Sequence, residues 1–467
     1  MLFEKPKSLP GIVIAGTHSS VGKSSIAIGL MQLLQRKGWS IKPFKVGPDY
    51  IDPGHHNRAC SSPSYNLDTV MTSPNYVKSL FKDVMQKSDF ALVEGVMGLF
   101  DGASPKNEKG STAEIAKLLN LPVLLVFDAR AMARSAAAVV NGFLSMDKNL
   151  CFIGAVANNV NSRKHESFLK DAIKHYTPIK LLGCIPNKSN LEIPSRHLGL
   201  LQGIEQKEDT YKKWADQIET HLDLRKLIGT SSLKTTSTCK VNKKPPSRWK
   251  TRKSSKLFTV AIAKDKAFQF VYQDTLELFK YYGGKIVYFS PMRDKHLPSN
   301  VDWLYFPGGY PELHAKVLSS NLSMLKDVKK WNKSNRLSVA ECGGLMYLGK
   351  SIKDGNGKPH KMVGIYDFST TIKKKQLTLG YRKLKASKDI KLSKNLKGHE
   401  FHYSNFEKNQ EKPLWQENKG GRPVKIKDGF KHFNSFAFYT HIYWGENEPW
   451  LNFLLKIVEQ QRLINKL

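Results

Sequence analysis

The chain is poor in cysteine. Its 467 residues hold five, Cys60, Cys151, Cys184, Cys239 and Cys342, an odd number with no Cys-x-x-Cys pair. That excludes a disulfide framework and a cysteine zinc site, and points to a reducing compartment, the cytoplasm. No uninterrupted apolar run is long enough to span a bilayer, so no membrane partner is expected. The opening MLFEKPKSLPGIVIAG carries only a short apolar stretch that leads into a glycine loop. It reads as a first strand rather than a signal peptide. No repeat of solenoid period is present. Acidic residues are outnumbered, 40 against 74 Lys and Arg, for a net charge of +34. No nucleic-acid-binding motif accompanies that excess, so it reads as a lysine-rich solvated surface, which also attracts phosphates and carboxylates. With 40% hydrophobic and 24% charged residues, the composition is that of a globular enzyme of two or three domains.

Short apolar runs alternate with helix-like stretches: GIVIAG, then FALV at Phe90–Val93, VLLVF at Val123–Phe127 and FIGAV at Phe152–Val156. This rhythm predicts an α/β domain with a parallel sheet covered on both faces. It decays near Ile228. Lys240–Lys256 has eight basic residues, no acidic ones and the pair Pro245-Pro246, which reads as an exposed linker. A second α/β pattern begins at LFTVAIAKD. The expected division is 1–228, a basic flexible linker at 229–256, and 257–467.

The strongest local signal is Gly16-Thr17-His-Ser-Ser-Val-Gly22-Lys23-Ser24-Ser25 between strand and helix. Gly16 and Gly22 permit the tight turn that points successive N–H groups at phosphate oxygens, at the positive end of the following helix. Lys23 is placed for the β/γ-phosphates and Ser24 for Mg²⁺. Five residues rather than four separate the first glycine from Gly22-Lys23, a spacing that resembles the dethiobiotin-synthetase-like branch of P-loop proteins. Asp49 and Asp52 lie on a Pro/Gly-rich turn after an apparent second strand, and Glu94 and Asp101 follow the strand FALV. Carboxyl ends of parallel strands hold ligands, and Mg²⁺ takes oxygen donors, so Ser24, Asp49 and Glu94 are the candidate metal ligands.

In the second half, Cys342 in Val339-Ala-Glu-Cys342-Gly343-Gly344 has the setting of a nucleophile on a sharp strand-to-helix turn, with a thiol expected to be acidified by the helix N-terminus. Upstream, Gly308 and Gly309 in Tyr305-Phe-Pro-Gly-Gly-Tyr-Pro-Glu312 offer N–H groups for an oxyanion hole together with Gly343. His441 is the candidate base. GHEFHYS adds His399, Glu400 and His402, but lacks the His spacing of a zincin; it is expected near the domain interface or substrate site.

The segments GTHSSVGKS, KVGPDYIDPGHH, NLD, VEGVMGLFDG, GSTAEIAKLL and SRHLGL, with VAIAKDKAFQF and LGYR in the second half, resemble the cobyrinate a,c-diamide synthase family over nearly the whole chain outside the linker. Cobyric acid synthases resemble it at the phosphate loop but carry a QNM-type motif where this chain has VGPDYIDP. The resemblance implies a P-loop, dethiobiotin-synthetase-like amidoligase domain followed by a flavodoxin-like class I glutamine amidotransferase domain. Its partners are then ATP with Mg²⁺, L-glutamine and a corrinoid polycarboxylate, with self-association as a homodimer and no nucleic acid. It further implies that Asp52 handles a phosphorylated intermediate, that Asp101 acts during amide formation, and that Lys45, Tyr50 and Ile51 lie against the substrate. Asn158 matches a position that recognises adenine, while Asn159 stands where many relatives have arginine. His441 in FYTHIYW is followed two residues later by Tyr443, where class I amidotransferases commonly have glutamate; the family works with a Cys–His pair. Ammonia is expected to travel through an internal channel. Hydrogenobyrinate and nickel-sirohydrochlorin remain as alternative substrates, and a DNA-associated P-loop ATPase as the alternative class, which has no use for the Cys342–His441 half.

Overall fold

The structure, a computed structural model, describes residues 11–187, 195–196, 199–200, 202–234, 248–249, 257–372, 377–386, 390, 392, 394–419, 422–424 and 428–464. Most of the basic stretch, Cys239, and parts of SRHLGL lie outside these residues. The chain forms two compact units, Met1–Arg248 and Trp249–Leu467. Two features differ from the expected linker. The helix Leu224–Lys234 continues past Ile228, with Leu224 and Leu227 buried in the core of the first unit. Trp249 is buried and its indole donates to the Gly445 carbonyl at 2.8 Å, so it belongs to the second unit. Apolar contacts at the ends of the basic run outweigh its composition.

The first unit is built on a seven-stranded parallel sheet, β1 (Gly11–Gly16), β2 (Ile41–Val46), β3 (Tyr65–Leu67), β4 (Phe90–Glu94), β5 (Val123–Asp128), β6 (Phe152–Val160) and β7 (Leu181–Pro186), in the order β3-β2-β4-β1-β5-β6-β7. β1, β4 and β5 are buried throughout, which is why they read as continuous apolar runs rather than alternating ones. The chain leaves β1 into α1 (Lys23–Arg36) and β2 into α2 (Ile51–Cys60). α1 is clamped by the helix Glu208–His221. A Cβ on Gly29 would sit 2.7 Å from Ile218 and 2.9 Å from the Trp214 carbonyl, so glycine there lets the two helices touch. Because the strand order runs both ways from β1, the carboxyl ends of β1, β2, β4 and β6 converge on one crevice.

The second unit has a six-stranded sheet in the order Gly284–Phe289, Phe258–Ala263, Trp303–Phe306, Leu337–Glu341, Ser435–Phe438, Phe430–His432, parallel except for the last pair. A five-stranded antiparallel sheet includes Thr378–Ala386, Leu396–His402 and His441–Ile442. Among the described residues no helix is long and apolar enough to cross a membrane.

Candidate active site: two centres

In the first unit the expected loop is present. Gly22 caps α1 with φ 91° and ψ 18°, a left-handed turn. A Cβ there would lie 2.1 Å from Nδ2 of Asn158, which itself donates to the Val21 carbonyl at 2.9 Å, so β6 braces the loop. The neighbouring cavity, about 650 Å³, is lined by Lys23, Ser24, Ser25, Lys45, Asp52 and Glu94 among others, and also by Asp49, Asn158 and Asn159. Register sets its floor. Lys45 of β2 stands opposite Glu94 of β4, and its Nζ lies 2.8 Å from Glu94 Oε1 and 2.6 Å from Asp52 Oδ2. Glu94 also accepts from the Ser24 hydroxyl at 2.6 Å and meets His56 Nε2 at 2.6 Å. His56 is in turn bonded to Ser64.

This buried cluster sorts its own charges. Burial alone would discharge Lys45, but Asp52, Glu94 and Asp49 outweigh it and hold the ammonium charged. Burial would likewise raise Glu94, but Lys45 and the His56 hydrogen bond keep its carboxyl well below the usual range. Asp52 moves the other way, pushed up by burial and by the charges of Asp49 and Glu94. Lys23, whose Nζ donates to the His18 carbonyl at 3.1 Å, is lowered to about 8 by burial and by Lys45. Asp52 Oδ1 has no hydrogen-bond partner among the described residues.

The other expected residues distribute unevenly. Asp49 Oδ1 accepts from the N–H groups of Ile51 and Asp52, so Asp49 opens α2 as well as lining the cavity. Asn66 of the NLD segment donates to the carbonyls of Gly47 and Asp49 and pins that loop. Tyr50 and Ile51 stand at the start of α2 and are not among the cavity-lining residues, nor are Gly16 and Thr17. Asp101 is exposed and accepts from the Gly98 N–H at 2.8 Å; it is outside the cavity lining, although its charge acts on Lys23. Asn159, at φ 60°, turns its amide to Asp128. Among the described residues, no group of three or more His, Cys, Asp or Glu side chains could hold a metal unaided. Ser24, Asp49, Glu94 and the unpartnered Asp52 oxygen nevertheless fit Mg²⁺, which in nucleotide sites takes one or two carboxylates and completes its shell with phosphate and water.

In the second unit Cys342 sits between the strand Leu337–Glu341 and the helix Gly343–Leu348 at φ 48° and ψ −102°. A non-glycine residue held at positive φ on this turn stores strain that the surroundings must enforce. They do: a Cβ on Gly344 would lie 2.1 Å from the Phe306 carbonyl, and one on Gly343 would lie 2.8 Å from Pro311 Cδ and 3.0 Å from the Gly309 N. The two expected oxyanion segments therefore meet. Gly309 admits no side chain, because its Cβ would fall 2.1 Å from the Ala267 carbonyl, and a Cβ on Gly308 would fall 2.2 Å from His441 Cε1. Gly308 is the cradle of the imidazole.

The expected acidification of the thiol is not what the fold produces. Burial, followed by the charge of Glu312, pushes the Cys342 thiol well above its ordinary value, and the N–H of Gly343 offsets only part of this. The helix behind it is a six-residue piece, too short to overcome complete desolvation. His441 is also fully buried and is lowered well below the ordinary histidine value by burial, His399 and His402.

GHEFHYS belongs to this centre. His399 pairs with His441 across two antiparallel strands, and the Phe401 carbonyl lies 3.8 Å from Cys342 Sγ. His402 stacks on Tyr439 at 3.9 Å, and Glu400 is ion-paired with Arg382 of the LGYR segment. Tyr443 donates to Asp274 at 2.9 Å. Residue order does not show that His56 of α2 meets Glu94, nor that strand pairing sets His399 beside His441.

Comparison with known proteins agrees with this division. Residues 12–201 match the model of the CobQ/CobB/MinD/ParA nucleotide binding domain, and residues 259–449 that of the CobB/CobQ-like glutamine amidotransferase domain. A cobyrinate a,c-diamide synthase of Picrophilus torridus is 41% identical over 440 residues, covering 93% of this chain and 96% of that protein. One from Caldanaerobacter subterraneus subsp. tengcongensis is 38% identical, covering 92% and 94%. One from Salmonella typhimurium is 36% identical, covering 94% and 96%.

Proposed function

This chain belongs to the cobyrinate a,c-diamide synthase family, and from that premise we propose that it amidates the a and c acetate carboxylates of cobyrinate in cobalamin biosynthesis, using glutamine and ATP. The observation that carries the reading is the presence on one chain of a phosphate loop facing a carboxylate–lysine cluster and a strained cysteine elbow whose oxyanion glycines cradle a histidine. One centre activates a carboxylate and the other releases ammonia from glutamine; an amide made with glutamine as nitrogen donor needs both.

In the second unit Cys342 Sγ attacks the side-chain amide carbon of glutamine. His441 accepts the thiol proton and delivers it to the departing ammonia, and the N–H groups of Gly308, Gly309 and Gly343 receive the oxyanion. Water then cleaves the thioester to glutamate. In the first unit the loop N–H groups, Lys23, Thr17 and Ser25 hold ATP, with Asn158 toward the adenine. The substrate carboxylate attacks the γ-phosphorus, ADP departs, and an acyl phosphate forms, because a free carboxylate is a poor electrophile. Ammonia displaces the phosphate to give the carboxamide. Ser24, Asp49 and Glu94 would hold Mg²⁺, whose chemistry there would be to neutralise charge on the phosphates. Lys45 holds Asp52 in place and presents its charge to a substrate carboxylate; Tyr50, Ile51 and Asp101 complete the substrate side. A cytoplasmic homodimer is part of the same reading.

The test is a reconstituted reaction with ATP, Mg²⁺, glutamine and cobyrinate, read by mass spectrometry. Double acid-to-amide conversion, lost in Cys342→Ala with glutamine but restored by ammonia, is the expected result. Turnover of hydrogenobyrinate or nickel-sirohydrochlorin instead would retain the chemistry and change the substrate. Failure to amidate any polycarboxylate would overturn the reading.

A further inference from the structure

Glutamine carries three polar ends into the cysteine centre: its side-chain amide, its α-carboxylate and its α-ammonium. The amide is met by Cys342 and the glycine N–H groups. An ammonium withdrawn from water needs a matching anion, since burying it unpaired is costly.

Three buried carboxylates act electrostatically on Cys342: Glu312, Glu400 and Glu341. Two are already engaged. Glu341 accepts from the Trp444 indole at 2.9 Å and the Tyr305 hydroxyl at 3.0 Å. Glu400 is ion-paired with Arg382. Glu312 is only 8% exposed, and its Oε2 has no hydrogen-bond partner among the described residues. A buried acceptor left unmatched is costly, and a cationic ligand group would complete it. Its position is equally specific. Glu312 lies in the turn Pro311–His314 directly after the oxyanion glycines, and Pro311 packs against Gly343 of the elbow.

We propose that Glu312 is the counter-charge for the α-ammonium of glutamine, the group by which this centre selects an α-amino acid amide over other primary amides. The assignment deepens the proposed glutamine-hydrolysing function and rests on it. The electrostatics agree. Burial raises the Glu312 carboxyl to about 7, and its charge is the largest electrostatic influence holding the Cys342 thiol protonated. An ammonium on Glu312 cancels that influence, so the thiol ionises more readily when the intended substrate is seated, with burial remaining the larger cause of its raised value. The shift on His441 comes from burial, His399 and His402, so Glu312 serves the nucleophile's side of the centre rather than the base.

The experiment compares hydrolysis of L-glutamine and of glutaramate, which is glutamine without its α-amino group, by the full chain with ATP and cobyrinate present. The parent is expected to prefer glutamine by at least about tenfold in kcat/KM. Glu312→Gln, which keeps the shape and removes the charge, is expected to raise the glutamine KM about 10- to 100-fold and to leave the glutaramate KM unchanged. An unchanged glutamine KM, a parallel loss for both substrates, or a parent that treats the two alike would overturn the assignment. A parent that hydrolyses neither would instead overturn the glutaminase reading on which it rests.

Discussion

His399 and His441 face each other across an antiparallel strand pair. Directly opposed residues share one face of a sheet, with Cβ atoms about 5 Å apart, so the two imidazoles are neighbours in a dry environment. Neither can charge easily: His399 is lowered to about 3 by burial and Arg382, and His441 is lowered well below 6.5 by burial, His399 and His402. A base must be neutral to accept a proton. A depressed pKa keeps it neutral as pH falls, so glutamine hydrolysis at saturating glutamine is expected to show no inflection at 6.5. Replacing His399 by Asn removes one of the influences that depress His441 and should move the acid limb upward. A pH–kcat profile of both proteins checks this; an ordinary histidine limb in the parent would contradict it.

Gly308→Ala puts a methyl group 2.2 Å from His441 Cε1. The ring must leave its place beside the proposed oxyanion donors. Glutamine-dependent amidation is expected to fall about a hundredfold or more, in line with the sensitivity of catalysis to small displacements. Ammonia-dependent amidation should be retained, because the P-loop centre is untouched. Steady-state rates with the two nitrogen donors measure the difference.

Burial and the nearby Lys45 charge lower Lys23 to about 8. In the proposed nucleotide site, triphosphate binds the ammonium form and pulls its pKa up. Below pH 8 the proton is already in place; above it, ATP binding must take up a proton, and affinity should fall as pH rises. Calorimetry in buffers of different ionisation enthalpy is expected to detect this uptake at alkaline pH in the parent and not in Lys23→Met.

Lys45→Met would leave the fully buried Glu94 and the buried Asp52 without their shared cation. Breaking a buried ion pair from one side costs about 3–5 kcal/mol. Urea unfolding of the first unit should register a loss of that order at neutral pH. Because the stranded carboxyls are relieved by protonation, the deficit is expected to shrink as pH is lowered.

Much of this was legible from residue order alone. GIVIAG, FALV and VLLVF declared buried parallel strands because both faces of such strands are apolar. GTHSSVGKSS declared its loop because phosphate binding needs glycines and a lysine close together in sequence. ECGGLMY and PGGYPE announced the elbow and its partner for the same reason. The ends of the basic stretch are less legible, because helix Leu224–Lys234 and Trp249 are held by contacts that composition does not reveal.

The sequence by itself therefore determined the two chemistries, since each depends on a short contiguous motif whose local backbone is set by glycine, and whose nucleophile or cation lies within that motif. Only the tertiary structure decided what those groups feel. Strand register placed Lys45 opposite Glu94 and His399 opposite His441, and burial made the Cys342 thiol harder to ionise rather than easier. It also left Glu312 with an oxygen to offer. Desolvation and pairing depend on what surrounds a residue in space, and that information is spread over the whole chain.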